Sequence, residues 1–170
     1  MNLITALAIV IGVLGGAATW LYVGPMAAFG LQIWATFIAW ACFYHVGGGE
    51  AGLKNTIAAN IWGAICATVA LVLIARFGGG AVGAGIWVAV TVAVMILAAQ
   101  VPMLSAIPAA VYGYAAVAAF GLLKGGDALD FGLGTGPFTT VVVSMVIGAV
   151  LGYVSQKIAN VITEGARARA

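Results

Sequence analysis

The chain has 170 residues, of which 65% are hydrophobic and 6% are charged, and its mean hydropathy is +1.21. Soluble domains contain about 25% charged residues, so this composition excludes an ordinary soluble domain and indicates a membrane protein. The formal net charge of +2 is too small to suggest binding to nucleic acid.

Six mostly apolar stretches follow one another, separated by short glycine-rich breaks. A bilayer core requires about 20 residues of helix, and lipid cannot hydrate free backbone groups, so each stretch is expected to be a helix. The predicted spans are 3–23, 27–45, 54–76, 81–100, 104–123 and 137–160. The sequence therefore predicts an all-α polytopic membrane protein, with one transmembrane domain over 1–170 that ends in a short tail at 161–170.

Small residues recur at intervals of four in the first, third and sixth spans. In lipid such stripes let helices approach closely, so packing within a protomer or between protomers is their ordinary use. Lining a narrow pore is the alternative that the pattern leaves open. The glycines expected to pack are Gly12, Gly16, Gly63, Gly148 and Gly152. With only six short helices, some of these faces are expected to serve a homo-oligomer in the lipid.

The second span ends at His45, and Glu50 follows in a glycine-rich loop. A lone histidine at the end of a helix usually interacts with the negative end of the helix dipole or is simply solvated. A pH-sensitive gate formed by His45 and Glu50 is the functional alternative. One histidine and two separated cysteines, Cys42 and Cys66, give no zinc or haem site, so no metal and no cofactor are expected. The two cysteines are expected to be free.

Uncharged polar and aromatic side chains inside the spans are the candidates for a solute path. Interhelical hydrogen bonds that fix packing are the commoner use of the polar residues, and anchoring at the lipid headgroups is the commoner use of the aromatic ones. The candidates are Trp40, Asn60, Tyr112, Tyr114 and Ser144. Near the two tyrosines, Pro108 and Gly113 are expected to expose backbone groups in the fifth span.

Charged and reactive groups are missing from the predicted spans. Every Asp and Glu falls in a predicted loop or tail, which disfavours proton-driven transport because that process needs ionisable groups within the membrane. No serine or cysteine has a base near it in sequence, and there is no Gly-x-Ser-x-Gly or phosphate loop. We therefore expect no enzyme activity and assign no catalytic residue.

The order of features along the chain repeats after the third span. Residues 61–67, Ile-Trp-Gly-Ala-Ile-Cys-Ala, resemble residues 146–152, Val-Ile-Gly-Ala-Val-Leu-Gly, and a Gly-Gly-acid-Ala sequence stands at 48–51 and again at 125–128. Three spans are an odd number, so a second copy must enter from the opposite face. We predict two inverted three-helix repeats, about 3–76 and 81–160, an arrangement in which a solute path commonly runs between the halves.

The basic residues predict the orientation in the membrane. Those on the side that both termini share are Lys54, Lys157, Arg167 and Arg169, whereas the other side has Arg76 and Lys124. Because lysine and arginine are retained on the cytoplasmic side, both termini are expected in the cytoplasm.

Several segments together resemble the YcdZ-like family of small bacterial inner-membrane proteins, a family of unknown function. These are the glycine-rich first span ending near Trp20, Gly48-Gly49 before Gly52-Leu53-Lys54, the third span around Gly63, Leu104-Ser105-Ala106-Ile107-Pro108, and Gly148 to Tyr153 in the last span. The resemblance implies six helices and a bacterial inner-membrane location. It brings no established catalytic or binding residues.

Two functions remain open from the sequence. The first is a facilitative channel or carrier for a small neutral or weakly polar solute, suggested by the repeat and the uncharged polar residues. The alternative is a non-transporting scaffold or accessory subunit whose small-residue stripes bind other membrane helices.

Overall fold

The computed structural model describes residues 2–125 and 127–167, with side chains described as far as Gly165. The described part of the chain forms six α-helices joined by short turns. They are α1 (Leu3–Val23), α2 (Ile33–His45), α3 (Gly49–Phe77), α4 (Gly80–Leu97), α5 (Ile107–Lys124) and α6 (Pro137–Arg167). A 3-10 turn at Ala27–Phe29 precedes α2, and two more, Ala98–Gln100 and Pro102–Leu104, precede α5.

Five of these helices are long and apolar enough to cross a membrane, namely α1, α3, α4 with its 3-10 extension, α5 and α6. The exception is α2, whose 13 residues rise only about 20 Å, less than a hydrocarbon core of about 30 Å. The chain is therefore an integral membrane protein with five long helices and one short one.

The second predicted span, 27–45, is broken because Gly30 is in the left-handed conformation, with φ 64°. Its backbone lies directly against that of Gly134 in the loop before α6, where a side chain would not fit. The chain therefore turns at Gly30 and begins α2 only at Ile33.

Two sequence-based expectations change at the ends of the last helices. Pro108 lies in the first turn of α5, where a missing N–H costs nothing, and so it does not expose backbone in the middle of a span. Residues 161–167, expected as a tail, continue α6 as far as Arg167. Arg169 and the side chain of Arg167 lie outside the described residues.

Both ends of the described chain lie at one end of the bundle. Ala6 and Val10 near the start of α1 pack against Ala159 near the end of α6. The corner between α2 and α3 lies at the same end, because the Gly49 N–H donates to Gln156 Oε1 of α6 at 2.8 Å. We call this the terminal end, and the opposite end, where Gly30 meets the loop before α6, the loop end.

Two helix pairs form the centre of the bundle: α3 packs against α5, and α2 packs against α6. The outer helices α4 and α1 lie against α3 and α6, respectively. Large apolar side chains fill the space between the pairs, and three that are fully buried are Val117, Val141 and Met145. The interior is thus closely packed wherever these side chains meet.

Candidate functional site

Three of the predicted packing glycines lie where two helices cross at short distance. A Cβ atom on Gly63 would collide with the backbone carbonyl of Ala110 on α5, and one on Gly148 would collide with the carbonyl of Thr36 on α2. An ideal Cβ atom on Gly152 would lie 2.7 Å from the ring of Phe43. At these positions the absence of a side chain lets the helix backbones approach.

Gly12 and Gly16 have different surroundings. A Cβ atom at either position would meet nothing within 4 Å, and both residues are exposed on α1. They line an open groove of about 630 Å³ together with Trp20 and Phe37. Neither glycine therefore brings two helices of this chain together.

Ser144 belongs to a fully hydrogen-bonded network between α2 and α6, nearer the loop end. Its hydroxyl accepts from the Gln32 N–H at 2.9 Å and donates to the Thr140 carbonyl at 2.7 Å. The Thr36 hydroxyl donates to the Ser144 carbonyl at 2.9 Å, and the Tyr22 hydroxyl lies 2.8 Å from Thr36 Oγ1. The arrangement fixes the start of α2 against α6 and α1. We call it the α2–α6 network.

Trp40 is buried and faces α6, where its indole N–H donates to Ser155 Oγ at 3.0 Å. The same oxygen lies 2.7 Å from the Tyr44 hydroxyl, and the Ser155 hydroxyl donates to the carbonyl of Gly152. Trp40 also stacks on Phe37 with ring centroids 5.8 Å apart. These contacts give Trp40 a packing role in this conformation.

Tyr114 and Tyr112 point to different neighbours. The Tyr114 hydroxyl lies 3.0 Å from Thr91 Oγ1 and joins α5 to α4. Tyr112 lies at the terminal end, where its hydroxyl is 3.0 Å from Nδ1 of the exposed His45. Glu50 is also exposed, in the first turn of α3. His45 thus joins α2 to α5 through Tyr112.

Asn60 lies in a small buried polar cluster between α2 and α3. Its amide oxygen is 3.9 Å from the Cys42 sulfur and accepts from that thiol. The Thr56 hydroxyl lies beside the same sulfur but does not form a hydrogen bond of good geometry with it. Asn60 is 3% exposed and Thr56 is fully buried. Among the described residues, Asn60 Nδ2 and Thr56 Oγ1 are the buried side-chain atoms that have no hydrogen-bond partner. We call Cys42, Thr56 and Asn60 the α2–α3 cluster.

The α2–α3 cluster lies deep in the bundle. Asn60 is 11 residues into α3 from Gly49, a rise of about 16 Å, and Thr56 is one turn nearer the terminal end. A hydrocarbon core is about 30 Å thick, so a polar group at this depth is close to its middle. The backbone carbonyl of Asn60 lies against Gly113 of α5 at a close helix crossing, and the side-chain amide meets Cys42 of α2.

The members of this cluster are a thiol, a hydroxyl and an amide. Both cysteines are free, as expected. In the described ranges no three His, Cys, Asp or Glu side chains lie close enough together to hold a metal ion. The chemistry that the cluster offers is hydrogen bonding to a neutral group.

A carboxylate with a shifted pKa lies in the loop before α6, outside the bundle. The Gly132 N–H donates to Asp130 Oδ1 at 2.7 Å, and this bond lowers the pKa of Asp130 below its usual value. The Thr135 hydroxyl acts in the same direction. Both stabilise the ionised carboxylate and hold the loop in its turn.

Comparison with known families covers most of the chain. Residues 8–160 match the family described as "Protein of unknown function (DUF1097)". The chain belongs to this family. Neither a curated protein nor a solved structure matches it.

For this DUF1097 protein, sequence reasoning named Asn60 but not its partners in the cluster, Cys42 and Thr56. Serine and threonine in a helix can satisfy themselves by bonding to a carbonyl one turn back, so they carry little information individually. The spacing of Thr56 and Asn60, four residues apart on one helix face, is the signal that was available. It does not reveal that α2 places a thiol opposite them.

Proposed function

We propose that this DUF1097 protein is a facilitative channel or carrier for a small neutral or weakly polar solute in a bacterial inner membrane. The α2–α3 cluster is the observation that carries the proposal. It places two unpaired hydrogen-bonding atoms, Asn60 Nδ2 and Thr56 Oγ1, near the middle of the bundle. An unpaired buried atom costs about 1–3 kcal/mol, and pairing with a passing solute would recover that cost.

The proposal includes six membrane crossings arranged as two inverted repeats, α1–α3 and α4–α6. The packing of α3 on α5 corresponds to that of α6 on α2, and α4 lies on α3 as α1 lies on α6. Gly63 and Gly148 stand at corresponding positions of the similar segments, and each meets a backbone carbonyl of the neighbouring helix. In this arrangement α2 is the short crossing helix, completed by the 3-10 turn before it.

Two lipid-facing clefts give further support to the repeat. One lies between α3 and α4 beside Trp62 and Cys66, and the other lies between α6 and α1 beside Ile147 and Leu151. The two residue pairs hold equivalent places in the similar sequence segments, and each cleft has a volume of about 210 Å³. Clefts of equal size at equivalent positions are expected if the halves share one fold.

The proposed orientation places the terminal end in the cytoplasm. The exposed Lys54 and Lys157 lie there, whereas the exposed Arg76 and Lys124 end α3 and α5 at the loop end. Reporter domains fused after residue 170 should therefore be active only as cytoplasmic fusions. A periplasmic reporter active at that position would contradict the orientation and leave the solute proposal to its own test.

Solute flux into proteoliposomes tests the main proposal. We expect at least one of formamide, urea, acetamide and glycerol to enter faster than into protein-free vesicles, measured by stopped-flow light scattering. Asn60→Leu should lower that flux about tenfold, which corresponds to about 1.4 kcal/mol of lost stabilisation along the path. Gly12→Ala, on the outer surface of α1, is the matched control. Protein-free rates for every solute would refute the proposal.

A membrane scaffold or accessory subunit is the second candidate, and the open groove along α1 favours it. Gly12 and Gly16 provide a surface on which another helix can pack closely. Disulfide cross-linking of Gly12→Cys, in protein that lacks the native cysteines, distinguishes the partners. A cross-linked pair of identical chains indicates the proposed homo-oligomer, whereas a cross-link to another protein in stoichiometric amount supports the scaffold.

A further inference from the structure

The unpaired atoms of the α2–α3 cluster point to a particular class of ligand. Asn60 Nδ2 is a donor, and Thr56 Oγ1 carries a hydroxyl that donates as well as accepts. Both belong to one face of α3, one helical turn apart, and both lie beside the Cys42 thiol. The group that completes this arrangement is an oxygen atom that accepts two hydrogen bonds.

The amide oxygen of Asn60 already has a hydrogen-bond donor, which narrows the class of ligand. It accepts from the Cys42 thiol, so the Nδ2 amino group is the part of the Asn60 side chain that is left without a partner. A hydroxyl donor and an amide donor one helical turn apart suit a carbonyl oxygen, which can accept two hydrogen bonds. Because no charged side chain belongs to the cluster, the ligand is neutral.

We propose that Asn60 and Thr56 form a binding site for the carbonyl oxygen of a small neutral amide, with Cys42 as the positioning residue that orients the Asn60 side chain. This inference deepens the proposed function, on which it rests, by naming the solute class. Formamide is the simplest probe of this class. The end of the bundle nearer the site is the terminal end, where α2 and α3 meet beside His45 and Glu50.

Cys42 supplies a reporter of occupancy that is independent of transport. In Cys66→Ala protein in lipid, we expect methyl methanethiosulfonate to label Cys42 and formamide to slow that labelling. At a formamide concentration of about twice Kd the rate should fall about threefold, because two-thirds of the sites are then filled. In Cys42→Ala protein, labelling of Cys66 in the lipid-facing cleft should not change with formamide.

Substitutions in the cluster identify the groups that hold the ligand. Thr56→Val keeps the shape of the side chain but removes the hydroxyl, and Asn60→Leu removes the amide donor, so both should abolish protection of Cys42. Thr56→Ser restores a hydroxyl and should retain protection. Each variant is first checked for a wild-type elution volume and melting curve. If Thr56→Val or Asn60→Leu fails to fold, the remaining variant can still be compared with Thr56→Ser.

The outcomes separate this inference from the proposed function. Protection of Cys42 that depends on Asn60 and on the Thr56 hydroxyl supports the site, even when formamide flux is absent and the conduit proposal fails. Any of four results would overturn the site: formamide does not protect Cys42, it protects Cys66 equally, its protection of Cys42 survives Asn60→Leu, or Cys42 reacts only after unfolding. If an amide crosses the membrane but does not protect Cys42, the conduit proposal stands and this binding site is refuted.

Discussion

The α2–α6 network and the α2–α3 cluster are both buried, uncharged and built on the same short helix, yet they differ in hydrogen bonding. In the network, the hydroxyls of Ser144, Thr36 and Tyr22 all have partners within the chain. In the cluster, Thr56 Oγ1 and Asn60 Nδ2 have none among the described residues. A satisfied network fixes the positions of helices, whereas an unsatisfied pair keeps hydrogen-bonding capacity that a ligand could use.

The largest effect is expected at the glycine crossings that hold both regions together. Gly63→Ala places a methyl group against the Ala110 carbonyl, and Gly148→Ala places one against the Thr36 carbonyl. Because backbone must move to admit the methyl group, each variant should lower the free energy of unfolding by about 3 kcal/mol, measured by denaturation in detergent. The control Gly12→Ala should be within about 0.5 kcal/mol of wild type. If all three variants were equally stable, the helices at these crossings would have room for a methyl group.

Two fully buried threonines allow the sharpest test of the comparison. Thr36→Val removes a hydroxyl that donates to the Ser144 carbonyl and pairs with Tyr22, so it should cost about 1–3 kcal/mol. Thr56→Val removes a hydroxyl that has no partner among the described residues and should be neutral or stabilising in the absence of solute. The substitution is the same at both sites, and unfolding curves of the two variants give the difference directly. Equal losses of unfolding free energy in the two variants would mean that the two regions do not differ in hydrogen bonding.

A smaller effect is expected at the terminal end, above the cluster. Tyr112→Phe removes the hydroxyl that joins His45 of α2 to α5, and the contact is exposed. We expect a loss of about 0.5–1 kcal/mol in unfolding free energy. If His45 gates access, the variant should also speed the labelling of Cys42, while labelling of Cys66 stays constant. Unchanged labelling of Cys42 would assign the contact to packing alone.

Sequence reasoning predicted the helices better than the site. Apolar length alone gives α1 its bounds of 3–23, because lipid imposes helix wherever such a run occurs. The break at Gly30 was missed because it depends on contact with Gly134, more than 100 residues away in the chain. Of the three cluster residues only Asn60 was predicted. It stands out as an amide in an apolar span, but Cys42 becomes its partner only when α2 turns back onto α3.

The smallest expected effect concerns pH and the loop before α6, which lies at the loop end of the bundle and away from the cluster. The pKa of Asp130 is lower in the folded protein than its ordinary value of 3.8, since the Gly132 N–H and the Thr135 hydroxyl stabilise its carboxylate. Folding then favours the ionised form, so its contribution is complete well above pH 3.8 and is lost as pH falls through the lower folded pKa. As pH falls through this acid range, wild type should lose stability more steeply than Asp130→Asn. Plots of melting temperature against pH for the two proteins should run parallel from about pH 5 to 7. Because Asp130 is remote from Cys42, labelling of that thiol should be the same in both proteins. A change there would show that the loop end is coupled to the cluster.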